Sequence, residues 1–437
     1  MPTGAVVTSL LGPRLLGWLA RRYLPLASRP GLDGMDLSFL PDSVLWPLHR
    51  DGLDPVAELG RWRDAAPVRR MPVPFGVRVW LVTGYEECRT VLGTVEGYSN
   101  DFGNVAGGVG VSAQHDPGGL GFADPPVHTR LRRLLTPEFT MRRLARLAPR
   151  IDQIVTGCLD AMAARAGATD GPVDLWREFA LPIPSLTICE LLGVPYAERA
   201  EFQRLSTARF DLAAGAGGSL DAMTRSVSYL LDLVARQRSA PGDGLLGALI
   251  REHGDDIDDR ELAGLADGVL TGGLETTASM LALGGLVVLR DPGSRDLVAD
   301  GDGEAVNRFV EELLRYLTVV QVAFPRVAIR EMHIGPVRVS PGDIVVCALS
   351  AANRDGALIT GDGEAFDPTR PVRQHLAFGH GLHRCIGAEL ARMELRTAYP
   401  ALVRRFPRMR LAVRLEELSF RRASIVYGLD SLPVRLT

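Results

Sequence analysis

The stretch from Phe378 to Gly387 reads Phe-Gly-His-Gly-Leu-His-Arg-Cys-Ile-Gly, a glycine-punctuated loop that ends close after a cysteine. A helical pattern follows it, from about Gly387 to Arg405, so Cys385 lies at the start of a predicted helix. A thiol at a helix N-terminus and beside Arg384 is expected to have a lowered pKa and to favour the thiolate. Because the thiolate is the form that ligates metals and attacks substrates, Cys385 is a candidate functional residue.

The other cysteines give no sign of a second site. The chain has five cysteines, an odd number, and no two of them form a C-x-x-C pair. Neither a disulfide framework nor a structural zinc site is therefore indicated, and a reducing cytoplasm is the compartment that fits best. We interpret the remaining four as small buried hydrophobic side chains: Cys88, Cys158, Cys189 and Cys347.

A long helix is predicted from Asp259 to about Leu289, with Asp258 as its N-cap and Glu261 in the position of a capping box. About 30 residues at ~1.5 Å each give a rod of ~45 Å, enough to cross a whole domain. Glycine in a helix interior costs ~1 kcal/mol relative to alanine, yet this helix carries several of them. The glycines are at positions 264, 268, 272, 273, 284 and 285.

Gly272 and Gly273 come one residue before Glu275 and Thr276, so two residues without side chains precede a carboxylate and a hydroxyl. Glycine here would let a flat ligand approach the helix and let the helix open locally, with a threonine hydroxyl bonded to the freed carbonyl. Close packing against another helix, with a satisfied threonine, explains the same pattern. The motif by itself leaves both interpretations open.

The rest of the chain is mostly helical, and its periodicity between residues 126 and 316 is broken at Pro182, Pro184 and Pro195. We predict a mainly α (α+β) fold in one domain over residues 1–437, with long helices and small peripheral sheets. A last helix is expected from about Gly387 to Arg405. The short strands are predicted at 77–82, 327–329, 337–339 and 343–347.

Two segments are predicted to lack regular structure. Residues 1–35 are expected to form a loosely ordered N-terminal arm; its apolar part falls short of the ~20 residues that span a bilayer, so no stable membrane insertion is expected. The glycine-rich segment from Gly93 to Asp124 is either a functional lid or a disordered insertion, because a structureless connection of that length is uncommon inside a compact enzyme.

Composition excludes some classes of partner. The 437 residues include 52 acidic and 49 basic side chains, a net charge of −3, and every basic one is arginine because the sequence contains no lysine. Without a basic excess there is no electrostatic footprint for nucleic acid. Any basic docking face or clamp for an anionic cofactor must therefore consist of arginine or histidine.

The loop around Cys385 resembles the haem-binding loop F-x-x-G-x-x-x-C-x-G of the cytochrome P450 monooxygenases. The resemblance extends over nearly the whole chain, because four further landmarks are similar to family motifs. They are Gly272 to Thr277 with A-G-x-[DE]-T-[TS], Glu312 to Arg315 with E-x-x-R, the Ala352 to Asp355 signature, and Phe366 to Arg370. Two positions depart from the usual pattern: Arg384 stands where an apolar or aromatic residue is common, and Gly356 replaces a proline.

The resemblance implies a P450 fold around a buried haem b, with Cys385 as the proximal iron ligand. Phe378 would cover the sulfur, while Gly379 and Gly387 would let the loop and the following helix approach the porphyrin. Glu275 and Thr276 would deliver protons during oxygen activation, next to Gly272 and Gly273. Glu312, Arg315 and Arg370 would hold the loop in place. The haem propionates would be bound by His128, Arg132, Arg326 and His383.

The implied activity is insertion of one atom of O2, by hydroxylation or epoxidation, into a largely apolar small molecule. Electrons would come from NAD(P)H through a separate ferredoxin and its reductase. A peroxide-driven peroxygenase is an alternative, against which Glu275 and Thr276 argue, and a haem-binding sensor without catalysis is another. The ferredoxin would dock on an arginine face, unless these side chains are simply solvated: Arg130, Arg133, Arg142, Arg143 and Arg384.

The expected substrate is a bulky apolar intermediate of bacterial secondary metabolism, free or bound to a carrier protein. By family position the variable pocket wall would be mainly small and aliphatic, with Gln321 as one polar group. The wall segments would be 93–124, 200–223, Gly268 with Gly272, 319–324 and 424–427.

Overall fold

The computed structural model of the chain describes residues 42–73, 77–101, 104, 120–169, 171–208, 215–371, 373–421 and 424–437. Within these ranges the chain is mostly helical with small sheets, which confirms the predicted mainly α class. One cluster of buried apolar side chains extends in sequence from Leu53 to Leu436. The predicted N-terminal arm and most of the 93–124 segment lie outside the described residues.

The helices are numbered here in chain order. Those before the central helix are α1 (Asp42–Leu45), α2 (Ala57–Ala65), α3 (Tyr85–Gly93), α4 (Val127–Leu135), α5 (Met141–Leu144), α6 (Ala148–Thr169), α7 (Pro182–Leu192), α8 (Arg199–Ala208), α9 (Gly215–Ser239) and α10 (Leu245–His253). The others are α11 (Asp259–Arg290), α12 (Pro292–Asp300), α13 (Gly303–Leu317), α14 (Leu349–Ala352) and α15 (Ala388–Arg405).

The strands form small sheets. The strands are β1 (Arg50–Asp51), β2 (Asp54–Pro55), β3 (Val68–Arg70), β4 (Val79–Val82), β5 (Tyr98–Ser99), β6 (Val173–Asp174), β7 (Arg326–Ala328), β8 (Met332–Ile334), β9 (Val337–Val339), β10 (Ile344–Cys347), β11 (Arg410–Leu411) and β12 (Pro433–Arg435). A five-stranded sheet has the order β3-β4-β10-β7-β5, and only its β4–β10 pair is parallel. A three-stranded sheet has the order β11-β12-β6, and β1-β2 and β8-β9 are antiparallel pairs.

The central helix α11 begins where the sequence predicts. Asp258 accepts a hydrogen bond from the Glu261 N–H at 2.8 Å, and the Glu261 carboxylate accepts one from the Asp258 N–H at 3.4 Å. Among the described residues α11 is also the helix that is long and apolar enough to cross a membrane, but most of it is buried inside the protein. It is therefore the core helix of the fold, in contact with α7, α9 and α15.

Two prolines predicted to break a helix lie in the first turn of α7. Pro182 is the first residue of α7 and Pro184 lies within its first turn, after a turn of π-helix at Trp176–Ala180. Proline lacks the N–H that would be unsatisfied in a first turn, so these residues start the helix and do not break one.

Candidate active site

The cysteine loop is held against helix α3. The Cys385 N–H donates to the Phe378 carbonyl at 2.8 Å, which closes the loop on itself. Gly379 and Gly381 have φ angles of +68° and +70°, and a Cβ atom on Gly381 would lie 2.3 Å from the Leu92 carbonyl oxygen. Only glycine satisfies both requirements at Gly381, so this position fixes how closely the loop approaches α3.

The Cys385 thiol is open to a cleft on one side and surrounded by protein on the others. Burial raises the pKa of the Cys385 thiol, although the Gly387 N–H and Arg132, Arg384 and Arg392 act in the opposite direction. The expectation that the helix terminus and Arg384 lower this pKa is therefore wrong, because desolvation outweighs both. A bound metal cation would deprotonate such a thiol outright, so the environment suits a metal ligand better than a free nucleophile.

A buried hydrogen-bond network holds the segment that precedes the cysteine loop. Arg315 donates to both carboxylate oxygens of Glu312 at 2.7 Å, and its remaining donors reach the carbonyls of Asn353, Gly363 and Ala365 at 2.8 to 3.1 Å. Both charged side chains are almost fully buried. The bidentate geometry fixes the guanidinium, and through it the irregular segment that leads to the cysteine loop.

Two further side chains complete this support. Arg370 donates to Glu312 at 3.3 Å, as the resemblance implied. Asn353 accepts from the Leu376 N–H at 2.6 Å and donates to the Thr318 hydroxyl at 2.8 Å, so it connects the end of α13 to the start of the cysteine loop.

Sequence reasoning missed a second charged group under the loop. Glu311 accepts hydrogen bonds from Arg392 and is 3.2 Å from the His375 ring nitrogen, and the Arg392 guanidinium lies 4.7 Å from the centre of the Phe378 ring. Burial alone would raise the pKa of Glu311, but these two partners lower it to about 2. Its position beside Glu312 is the only sequence signal, since Arg392 is 81 residues away.

Four cationic or potentially cationic side chains surround the cleft beside Cys385. The rings of His128 and His383 are 4.2 Å apart, and Arg132 donates to the Arg384 carbonyl at 2.6 Å. Burial lowers the pKa of His128 and, together with Arg326 and His128, lowers that of His383 to about 3. The structure thus brings together the predicted propionate ligands.

These groups lack a counter-charge that hydrogen-bonds to them within the described ranges. Neither ring nitrogen of the buried His128 has a hydrogen-bond partner there, and neither does Nε of the buried Arg326. Buried polar groups are rarely left unpaired, so an anionic ligand is the expected partner. Haem b would supply an iron atom for the Cys385 thiolate and two carboxylates for the neighbouring arginines and histidines. The residues present therefore fit haem b.

One face of α11 lies near this group of side chains, because the 120–122 turn contacts α11 and also bonds to His383. A Cβ atom on Gly264, Gly268 or Gly272 would meet nothing within 4 Å, whereas one on Gly284 would lie 2.0 Å from the Tyr399 hydroxyl. Close packing thus explains Gly284, whereas the open space at Gly272 is what the ligand interpretation requires; the approach of a ligand itself stays a prediction. The glycines spaced four residues apart leave a flat open face, and Thr276 is the next position on it.

Thr276 lies on this face with its hydroxyl donating to the Gly272 carbonyl at 2.7 Å. The predicted local opening of the helix is wrong, because α11 is continuous from Asp259 to Arg290. The hydroxyl instead shares an acceptor within an intact helix, so it can turn toward a ligand without a change of backbone.

Glu275 is buried, and Arg421 donates to its Oε1 at 2.7 Å. Arg421 also lies 4.5 Å from the centre of the Trp176 ring and 3.4 Å from Asp430. Nothing in the sequence pointed to Arg421, which is 146 residues from its partner.

Gln321 is not the polar group of the pocket that was predicted. Its side chain is fully buried, donates to the carbonyls of Leu48 and Ser424 at 2.9 and 2.8 Å, and accepts from Arg50 at 2.8 Å. These bonds use its hydrogen-bonding capacity within the protein, so it is a structural residue. Of the other predicted wall segments, residues 102–103, 105–119 and 209–214 lie outside the described ranges.

Several known proteins resemble this chain over most of its length. The family model for cytochrome P450 matches residues 304–411. Cytochrome P450 165C4 of Amycolatopsis orientalis is 42% identical over 359 residues, 82% of this chain and 86% of that protein. The chain belongs to the cytochrome P450 family and is a P450 monooxygenase.

Two more relatives show how far the similarity extends. The 6-deoxyerythronolide B hydroxylase of Saccharopolyspora erythraea is 37% identical over 92% of this chain and all of that protein. A solved complex of the X-domain and OxyB from teicoplanin biosynthesis matches with a TM-score of 0.79 and 39% identity, over 89% of this chain and 99% of that one. Similar proteins thus serve bacterial secondary metabolism.

Proposed function

We propose that this P450 inserts one atom of O2 into a C–H or C=C bond of a largely apolar intermediate of secondary metabolism. The observation that carries the proposal is the group of two arginines and two histidines beside Cys385. Within it the His128 ring nitrogens and Arg326 Nε have no hydrogen-bond partner among the described residues, as expected of a site for a haem with two propionates. Haem b would be ligated by Cys385 and bound at its propionates by His128, Arg132, Arg326 and His383. It would supply the binding and activation of O2.

The ligand assignment is tested by the spectrum of the reduced protein with CO. Wild type should show the red-shifted Soret band of thiolate ligation, and Cys385→Ala should abolish it. Cys347→Ala is the matched control, because that thiol is buried under the five-stranded sheet and should leave the band unchanged. A band that survives Cys385→Ala would overturn the assignment.

The propionate clamp is tested by haem affinity. Removing a guanidinium that pairs with a carboxylate should weaken haem retention, since charge-assisted bonds are about twice as strong as neutral ones. Arg326→Gln should therefore lose haem to apomyoglobin faster than wild type, whereas the exposed Arg330→Gln should not. Equal rates of haem loss in both variants would contradict the clamp.

For the electron donor we infer a separate ferredoxin with an NAD(P)H-dependent reductase. The structure divides the predicted arginine face into two groups. Arg130 pairs with Glu261, and Arg143 with Glu138 and Glu252. The other members are exposed and have no side-chain ion pair among the described residues, so they are the better docking candidates: Arg133, Arg142 and Arg384.

Docking through these side chains should weaken as salt screens it. We expect ferredoxin-supported reduction to slow with ionic strength, and Arg384→Glu to slow it further at low salt. Arg408→Glu changes the same charge at an exposed position after α15 and serves as the control. A flat salt dependence together with an unaffected Arg384→Glu would dismiss this face.

The substrate is inferred to be bulky and apolar, presented either free or on a carrier protein. Support for an apolar ligand comes from the flat glycine face of α11, and support for a protein-bound one from the complex that the OxyB relative forms with its X-domain. A panel of macrolide, terpenoid and carrier-bound peptide compounds should include one that gives a type I spectral shift. If only small polar compounds gave the shift, the inferred substrate class would be wrong.

The cytoplasm is the inferred location. The five cysteines are all free, and four of them are buried. Burial raises the pKa of Cys158 and Cys189 to about 12, so these thiols resist oxidation chemistry.

A further inference from the structure

The carboxylate proposed to deliver protons is held by an arginine from a distant part of the chain. The Arg421 guanidinium donates to Glu275 Oε1 at 2.7 Å, and only 7% of either side chain is exposed. Direct removal of two such charges from water is costly, and it is tolerated when the geometry is good and further contacts hold the pair. What holds Arg421 in this place therefore decides where the Glu275 carboxylate lies.

Three contacts position Arg421. Its guanidinium lies over the Trp176 ring at 4.5 Å, and its Nε is 3.4 Å from the half-exposed Asp430 carboxylate. A Cβ atom on Gly428 would be 2.6 Å from the Ser279 hydroxyl and in ordinary contact with Arg421 at 3.6 Å, so the absence of a side chain there lets the chain approach α11 closely. The Arg421 N–H donates to the Gly428 carbonyl at 2.9 Å.

Arg421 also lies at the base of a hairpin that reaches the predicted pocket wall. Phe420 pairs with Leu429 at this base, and toward the tip Val426 pairs with Val320. The Gln321 N–H donates to the Ile425 carbonyl at 3.0 Å, which adds the hairpin tip to the 319–324 wall segment. Arg421 thus lies beside the acid, while Ile425 and Val426 pair with a segment that was predicted to line the pocket.

We propose that Arg421 is a positioning residue, which keeps Glu275 ionised and oriented for proton delivery. This inference rests on the proposed function, in which Glu275 takes a proton from the solvent side and passes it to the cleft at Thr276. After each transfer Glu275 returns to the carboxylate form that Arg421 stabilises. Arg421 itself does not touch the substrate, and acts through Glu275.

The first test is infrared spectroscopy of the protein with haem bound and no substrate. A buried carboxylate that loses its counter-charge takes up a proton instead of remaining ionised. Arg421→Met should therefore show a new C=O stretch of a protonated carboxyl. The band should be missing from wild type and from the Arg421→Met, Glu275→Gln double variant. A spectrum of Arg421→Met identical to that of wild type would overturn the proposal.

The second test is a double-mutant cycle on turnover, with the panel compound that gives the largest type I shift as the probe. A general acid contributes on the order of 10²- to 10⁴-fold, and a residue that only positions it should cost less, so we expect Arg421→Met to slow product formation about tenfold. Added to Glu275→Gln, the same substitution should cost nothing more. Equal losses in both backgrounds would show a merely structural role and overturn the proposal.

Two variants keep the test usable if Arg421→Met does not fold. Arg421→Lys retains the charge without the planar fork, and should restore most of the rate but not its full value. The double variant with Glu275→Gln removes both charges together. Arg410→Met, at an exposed arginine of β11, is the control. The thiolate CO band separates the two failures. Absence of the band in wild type would defeat the proposed function and with it this inference, whereas an intact band together with equal losses in the mutant cycle would defeat this inference alone.

Discussion

The two sides of the cleft are built on opposite principles. On the cysteine side, Arg315 is bonded to Glu312 and to three carbonyls, and Glu311 is bonded to Arg392, so buried charges are satisfied by the chain itself. On the α11 side, glycines leave a face that the described residues do not fill, and Thr276 bonds only within its own helix. We therefore expect the first side to hold a cofactor and the second side to leave space for a substrate.

The largest effect is expected from breaking the cysteine side. Glu312→Gln leaves Arg315 buried without its counter-charge, which should lower the free energy of unfolding by roughly 3–5 kcal/mol. The loop would lose its support, so haem loading should fall as well. Urea unfolding and the amplitude of the CO band measure the two effects.

The same helix offers a matched control for this experiment. Glu304 and Arg308 form an exposed i,i+4 pair on α13, with 80% and 33% of their side chains exposed. Exposed pairs contribute about 0–1 kcal/mol, so Glu304→Gln should hardly change stability or haem content. Similar losses from both substitutions would show that burial of the Glu312 pair is not what supports the loop.

On the α11 side, a substitution should change the reaction without changing stability or haem content. Thr276→Ala removes a hydroxyl that bonds only within its helix, so stability, haem content and probe affinity should stay close to wild type. NAD(P)H should still be consumed, with a larger share diverted to hydrogen peroxide because the cleft lacks the hydroxyl that holds a water for proton transfer.

The measurement is the ratio of product to NAD(P)H consumed, with Thr277→Ala as the control because that side chain is buried and faces away from the cleft. Glu275→Gln should instead slow turnover more than it lowers this ratio. Wild-type coupling in Thr276→Ala with lowered coupling in Thr277→Ala would instead assign the role to Thr277, and wild-type coupling in both variants would assign it to a hydroxyl of the substrate.

The difference between the two sides also explains what the sequence could reveal. The cysteine loop, the Asp258 cap of α11 and the Glu312–Arg315 pair are local patterns, in which spacing along the chain sets spacing in space, and these predictions are confirmed. The continuous helix at Gly272 and the buried Gln321 contradict predictions because both depend on tertiary contacts. The prediction that the pKa of Cys385 is lowered is wrong for the same reason, since desolvation has no local sequence signal.

Long-range partners were missed for a related reason. Arg421 is one of many arginines in a chain without lysine, so residue type alone does not mark it. Its role follows only from a hairpin that returns to α11 from 146 residues away. Arg392 likewise meets Glu311 from 81 residues away. The predicted roles of Cys385, the propionate ligands, Glu275 and Thr276 remain predictions until the variants are measured.

A smaller effect is expected at Glu394, the exception on the cysteine side. This carboxyl on α15 is buried without an arginine partner among the described residues, and burial raises its pKa to about 8, although the neighbouring Thr187 hydroxyl acts in the opposite direction. The unfolded chain releases this proton near pH 4.5, whereas the folded protein keeps it until pH 8, so wild type loses stability as pH rises between these values.

Glu394→Gln has the same shape and does not titrate. Its stability relative to wild type should therefore increase from pH 5 to pH 8, by at most a few kcal/mol. Urea unfolding at the two pH values measures this difference. Parallel pH curves for the two proteins would mean that Glu394 finds a counter-charge and that the cysteine side has no exception.

The smallest effect is expected at His383, one of the predicted propionate ligands. Its pKa of about 3 lies below the ordinary 6.5 because of burial and the neighbouring Arg326 and His128. Between pH 6.5 and 3 the unfolded chain binds a proton that the folded apoprotein does not, so the apoprotein loses stability as pH falls through this window. Propionates beside His383 would favour its protonated form and reduce that loss. Unfolding of apoprotein and haem-loaded protein, each compared with His383→Gln at pH 7 and pH 5, measures the contribution. We expect His383→Gln to flatten the pH dependence of the apoprotein clearly and that of the haem-loaded protein only slightly; an equal effect in both forms would place the propionates away from His383.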